Sequence, residues 1–111
     1  MFQDTIAAIA TADAMGAISV IRISGSDAIQ IVTDLTGKDL SDAKGYTIHY
    51  ATIKEGNESV DEVLVSLFRA PKSYTGEDVV EISCHGGVYI TRKVLSLILG
   101  AGARMARRGE F

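Results

Sequence analysis

A single cysteine, a single proline and no tryptophan occur in this chain of 111 residues, and each scarcity excludes a class of protein. With Cys84 alone, no disulfide can form within the chain. One proline against eleven glycines gives many turns without a proline-rich or low-complexity composition. Without tryptophan, and with only three Phe and four Tyr in a chain that is 47% hydrophobic, the core must be aliphatic. Two histidines (His49 and His85) and one cysteine cannot supply a structural zinc set. Cys84 and His85, adjacent on a strand, would also point to opposite faces, so no metal ligand is expected. No segment approaches the roughly 20 apolar residues of a membrane span. The opening Met1-Phe2-Gln3-Asp4 lacks the basic start of a signal peptide, and the apolar run behind it is short. The simplest compartment is therefore the cytoplasm.

An excess of positive charge is missing too. The net charge is -3 and the isoelectric point near 5.2, which argues against a dedicated nucleic-acid or membrane-surface binder. Arg104, Arg107 and Arg108 are a local exception that reads as a solvated end. The phosphate loop G-x-x-x-x-G-K-[ST], the dinucleotide fingerprint G-x-G-x-x-G and the nucleophile elbow G-x-S-x-G are all absent. Nothing here performs a reaction unaided, and no catalytic residue is expected.

The length suits one domain, residues 1–111, with one core. Residues 5–10 read as a short strand and residues 11–16 as a loop. Residues 18–24 are rich in β-branched side chains and read as a second strand. Ser26 is a candidate N-cap for a helix whose apolar positions are Ala28, Ile31, Val32 and Leu35, with Gly37 ending it. Residues 46–54 and 60–68 read as a hairpin joined across residues 55–58, with Val63, Val65 and Leu67 on one face and Glu62 and Ser66 on the other. A loop around Pro71 leads to a strand at 79–84. Gly86-Gly87 make a turn, and a helix over 88–99 carries Ile90, Val94, Leu97 and Ile98 as its stripe, with Arg92, Lys93 and Ser96 facing elsewhere. Gly100 and Gly102 end it, and residues 103–106 return as a short strand. This order predicts an α/β (α+β) fold, a mixed β-sheet of about five strands with two or three helices packed against it.

The most informative stretch is residues 73–87. Period-two geometry places Val80, Ile82 and Cys84 on one face, as core, and Val79, Glu81 and Ser83 on the other. A carboxylate in mid-strand between apolar neighbours is costly to bury unless paired. Arg22 raises the same question where it interrupts Val20-Ile21 and Ile23. The two are either solvated or bridged to each other, or they form a ligand site in which Glu81 accepts from an amidine-like heterocycle edge and Arg22 forks onto a carboxylate or carbonyl. Cys84 reads as a core cysteine, and His85 as a ligand contact or, more simply, a strand-end residue. Gly86-Gly87 either expose backbone N–H groups to an anion at the helix start or, more simply, make the turn that lets the helix pack closely.

Several segments together resemble a known family: Asp4-Thr5-Ile6, Ile21-Arg22-Ile23-Ser24-Gly25, Arg69-Ala70-Pro71-Lys72-Ser73-Tyr74-Thr75-Gly76-Glu77-Asp78-Val79-Val80-Glu81, His85-Gly86-Gly87, and the ending from Gly102 to Phe111. In this order and spacing they resemble the N-terminal domain of the bacterial tRNA-modification GTPases (MnmE/TrmE). The resemblance runs essentially the whole chain. It implies a tetrahydrofolate-binding N-terminal-domain fold that binds a 5-formyltetrahydrofolate-type one-carbon carrier and forms a homodimer. The family's folate-contacting arginine and glutamate fall on Arg22 and Glu81. The resemblance further implies a longer protein, with a helical domain and an inserted GTPase domain that binds GTP, magnesium and potassium. That protein would act with a flavoprotein partner using FAD and NADH on C5 of the wobble uridine of certain tRNAs. It also places a further folate-contacting lysine beyond Phe111. Two departures stand out. Thr11-Ala12-Asp13-Ala14-Met15-Gly16-Ala17 replaces a Pro/Gly-rich loop, and Arg108 replaces a proline, which relaxes φ at that turn. The alternative to folate binding is a purely structural dimerisation arm, and direct tRNA binding through the terminal arginines ranks last.

Overall fold

The computed structural model describes residues 4–11, 18–85 and 87–111. All but Thr11 of the expected loop at 11–16 and of the departure from the family pattern at 11–17 lies outside the described residues, as does Gly86. The elements run β1 (Ile6–Ile9), β2 (Ser19–Ser24), α1 (Ala28–Thr36), β3 (Thr47–Glu55), β4 (Glu58–Phe68), β5 (Val79–Cys84), α2 (Gly87–Gly100) and β6 (Arg104–Met105). The strands form one sheet in the order β3-β4-β5-β2-β1-β6. Every pairing is antiparallel except β1 with β6, so the sheet is mixed and the fold is α+β, as the pattern predicts. The sixth strand is the short terminal return: Arg104 N–H donates to Thr5 O at 2.8 Å and Ala106 N–H to Ala7 O at 2.9 Å.

Three local expectations need correction. The β3–β4 connection is tighter than residues 55–58, because Glu55 pairs with Glu58 and only Gly56-Asn57 lie between them, with Gly56 at φ +62°. That is the two-residue hairpin geometry that glycine permits. The first helix is not capped by Ser26. Asp27 holds the cap position without a side-chain cap bond, and its backbone N–H donates to Thr5 Oγ1 at 3.1 Å. The helix start is thus tied to Thr5, the residue before β1, rather than closed by a side-chain cap. In α2 the buried positions are Thr91, Val94, Leu95 and Ile98, with Ile90 and Leu97 partly buried. The stripe is rotated from the expected one, and buried Thr91 is accommodated by its bond to Gly87 O at 2.8 Å.

Both helices contribute to one buried cluster with the same sheet face, where Ile21, Ile23, Val65, Leu67, Val80, Ile82 and Cys84 are fully buried. Each such aliphatic side chain gains about 1.5–3 kcal/mol from burial. The register fixes what faces the other way. Arg22 pairs with Glu81 and Ala8, Val20 with Ser83, Leu64 with Tyr50 and Ser83, and Ser66 with Ile48 and Glu81. On that opposite face large apolar side chains stay in solvent: Ile48 is 66% exposed, Tyr50 57% and Leu64 47%. One face of the sheet is closed by helices and the other is open.

Gly25 links the closed core to the open face. It has φ +143°, and a Cβ there would lie 2.6 Å from Thr5 Cα, so only glycine fits. Its N–H donates to Asp78 O at 2.9 Å, which brings the end of β2 against the segment preceding β5.

Candidate functional site

The polar residues of the segment 73–78 fold that segment. Fully buried Ser24, at the end of β2, has its hydroxyl 2.7 Å from Thr75 Oγ1 and donates to Glu77 Oε1 at 3.1 Å. Ser73 Oγ donates to Glu77 O and accepts from Gly76 N–H at 3.0 Å. Glu77 N–H donates to Thr75 Oγ1 at 3.3 Å, and Ala70 N–H to Asp78 Oδ1 at 2.8 Å. Ser73, Thr75, Glu77 and Asp78 therefore close a loop over one end of the open face, where Val79 is buried. The chain enters it through a cis Ala70–Pro71 bond. Tyr74 is the exception, projecting from the loop and 71% exposed.

The loop leads Tyr74 to Arg22. The guanidinium carbon of Arg22 lies 4.8 Å from the centroid of the Tyr74 ring and 5.7 Å from that of Phe111, both within cation–π range. Phe111 comes within reach because β6 runs beside β1. Small Ala8 lies opposite Arg22 on one side and Glu81 on the other. Arg22 Nε donates to Glu81 Oε2 at 2.8 Å, and Nη2 lies 2.8 Å from the same oxygen in an ion pair. The two residues left open by sequence geometry thus bridge each other across β2 and β5. Their side chains are 25% and 26% exposed, so neither is sealed in the core. Glu81 Oε1 accepts no hydrogen bond among the described residues, and Arg22 keeps further N–H donors. These groups present an acceptor and donors on neighbouring strands, with two aromatic rings close to Arg22. That suits the edge of a planar heterocycle bearing both N–H and C=O groups.

The other singled-out residues divide clearly. Cys84 is fully buried, and burial, with a smaller contribution from the Asp61 carboxylate, pushes its thiol pKa up to about 12. It is core, as expected. His85 is a strand-end residue held by Asp61, whose Oδ2 accepts from the His85 backbone N–H at 2.9 Å and whose Oδ1 lies 3.3 Å from Nδ1. Arg104 is paired with Asp4 at 2.9 Å and Glu110 at 2.5 Å. Its hydrogen bond, with that from the Arg107 backbone, lowers the Glu110 pKa to about 2. Part of the terminal basic charge is therefore already neutralised within the chain. An apolar hollow of about 180 Å³, lined by Ile18, Tyr50, Leu64, Ser83 and His85 among others, opens farther along the same face. Arg22 and Glu81 lie outside it. Among the described residues no group of three or more His, Cys, Asp or Glu could hold a metal ion, and no helix is long and apolar enough to cross a membrane.

Sequence reasoning missed Tyr74 and Phe111 as neighbours of Arg22. An exposed aromatic inside a run of loop-forming polar residues was the available signal for Tyr74. No local pattern marked Phe111.

Comparison with known proteins agrees with the motif resemblance. The chain is 54% identical over 111 residues to the tRNA modification GTPase MnmE of Lacticaseibacillus paracasei, covering 97% of this chain and 24% of that protein. It is 53% identical over 116 residues to the protein of that name from Bacteroides thetaiotaomicron, covering 100% of this chain and 25% of the relative. For that from Carboxydothermus hydrogenoformans the figures are 52% over 117 residues, 100% and 25%. The chain thus spans about a quarter of the length of the curated relatives it matches. The profile of the family described as GTP-binding protein TrmE N-terminus matches residues 5–111, and the chain belongs to that family.

Proposed function

We propose that this chain is the folate-binding and dimerisation domain, residues 1–111, of a tRNA-modifying GTPase, with Arg22 and Glu81 as the residues that read a 5-formyltetrahydrofolate-type ligand. The observation that carries the reading is the Arg22–Glu81 pair. It stands on the open face beside two aromatic rings, with an acceptor oxygen and N–H donors to spare. A reduced pterin offers a matching edge, in which amide and amidine N–H groups meet a carboxylate and a carbonyl meets a guanidinium. The rest of the activity follows from the relatives' name and the family resemblance. GTP, with magnesium and potassium, would bind to a separate domain, and the complete protein would act with an FAD- and NADH-using flavoprotein on C5 of the wobble uridine of tRNA, in the cytoplasm.

The test is titration of 5-formyltetrahydrofolate into the wild-type chain and into Arg22→Ala and Glu81→Ala, with and without the segment that follows Phe111 in the relatives. Hydrogen bonds to charged groups contribute about 1.5–3 kcal/mol, so each variant is expected to bind roughly 10- to 100-fold more weakly. Wild-type affinity in both variants would remove the site assignment. No binding even with the following segment present would remove the ligand itself.

A second reading, a structural dimerisation arm without ligand, is favoured by the apolar open face, where Ile18 is 62% and Ile48 66% exposed. Such a face is a natural contact between two copies. Sedimentation separates the readings, since a dimer with no folate affinity supports the arm alone.

A further inference from the structure

Each polar side chain of the 73–78 loop is committed to the fold, which leaves Tyr74 without a structural task. Its ring is 71% exposed, its hydroxyl makes no hydrogen bond among the described residues, and the ring face lies over the guanidinium carbon of Arg22, at 4.8 Å. An exposed aromatic gains little stability from such a position, because cation–π contacts at solvated sites are weak. The same placement has a clear use once a planar ligand meets Arg22. A group that hydrogen-bonds a guanidinium through its edge lies close to the guanidinium plane. A bicyclic heterocycle whose edge meets Arg22 and Glu81 therefore extends beneath the ring that already covers Arg22.

We propose that Tyr74 is the stacking wall of the site, a residue that selects for a planar heterocycle through its ring face rather than its hydroxyl. This rests on the ligand reading of Arg22 and Glu81 given above. Those two residues read the ligand's edge and Tyr74 reads its flatness, so the selectivity is for the bicyclic ring and not for a carboxylate tail. The loop bonds of Ser24, Ser73 and Thr75 hold the wall at the right height.

Three variants test it: Tyr74→Phe, Tyr74→Leu and Tyr74→Trp, each titrated with 5-formyltetrahydrofolate, pterin-6-carboxylate and p-aminobenzoylglutamate. Stacking of an aromatic side chain on a base-like ring is lost by about 5- to 100-fold on truncation. Tyr74→Leu should lose that much for the two probes carrying the bicyclic ring, whereas Tyr74→Phe keeps the wild-type value within about 3-fold. Because the chain contains no tryptophan, Tyr74→Trp supplies its only indole, and saturating pterin should quench that emission. The thermal midpoint of Tyr74→Leu should match the wild type, which separates lost stacking from lost folding. Unchanged affinity of Tyr74→Leu, an indole emission indifferent to pterin, or an equal loss for p-aminobenzoylglutamate overturns the inference while leaving the Arg22–Glu81 reading standing. A wild-type protein that binds none of the probes even with the segment that follows Phe111 in the relatives present overturns both.

Discussion

The two faces of this sheet are made from the same strands and obey opposite rules. Along β5, Val80, Ile82 and Cys84 point into the helix-covered core and are fully buried, while Glu81 and Ser83 alternate with them on the open side. The covered face is an ordinary aliphatic interior. The open face mixes exposed Ile48, Tyr50 and Leu64 with an ion pair and a projecting tyrosine. Sheets with helices on one side usually turn polar side chains outward, so the apolar content of the open face is in excess of what folding needs. Under the proposed function the difference separates the tasks: stability resides on the closed face, and recognition would reside on the open one.

Substitution on neighbouring positions of β5 breaks or upholds that division most sharply. Ile82 is fully buried between Ile21 and Val65, and Ile82→Ala should cost about 2–5 kcal/mol through lost transfer energy and the cavity left behind. Ser83→Ala, one residue on but facing the other way, should stay within about 0.5 kcal/mol of wild type. Urea midpoints at unchanged m-value measure both. A loss below about 1 kcal/mol for Ile82→Ala would mean that the closed face is not the core of the fold.

Reactivity draws the same line by a different probe. With its thiol pKa raised to about 12 by burial, Cys84 should resist a thiol reagent at pH 8 and react only through unfolding. Ser83→Cys in a Cys84→Ala background should react at the rate of an accessible thiol. A sign follows for pH. The folded thiol holds its proton above the unfolded value of about 8.5, so its contribution to stability is intact at neutral pH. It declines as pH rises from about 9 toward 12. Rapid labelling of native Cys84 would show that the helix-covered face opens readily.

The closed face was legible in the sequence because its logic is local. Alternation placed Val63, Val65 and Leu67 together, and Gly37 marked the end of α1, where it adopts φ +71°. The same alternation put Glu81 on the open face, and the interruption of an apolar strand singled out Arg22. The surroundings of that pair were not legible, because they depend on long-range contacts. Tyr74 reaches Arg22 only after Ser24 has engaged Thr75 and Glu77 across more than fifty residues of sequence, and Phe111 only after β6 has paired with β1. The Ser26 cap failed for the same reason: the cap position fell on Asp27, whose N–H is held by Thr5, over twenty residues away. Local pattern locates residues on faces, while the neighbours of a site come from how distant segments meet.

The smallest effect is also the one that bears most directly on the site. If the open face serves recognition, the Arg22–Glu81 bridge should add little to folding, although it joins two central strands. Both side chains are about a quarter exposed, so water and salt screen their attraction, and pairs of this kind contribute about 0.2–1 kcal/mol. A double-mutant cycle through Arg22→Leu, Glu81→Leu and the double variant isolates that coupling from the packing of each side chain. We expect a coupling energy below about 1 kcal/mol in 0.1 M salt and less in 1 M salt. A value above about 2 kcal/mol, insensitive to salt, would make the bridge a structural strut rather than a screened surface pair. The polar interruption of two apolar strands would then be explained by folding alone, and the ligand reading would lose its physical argument.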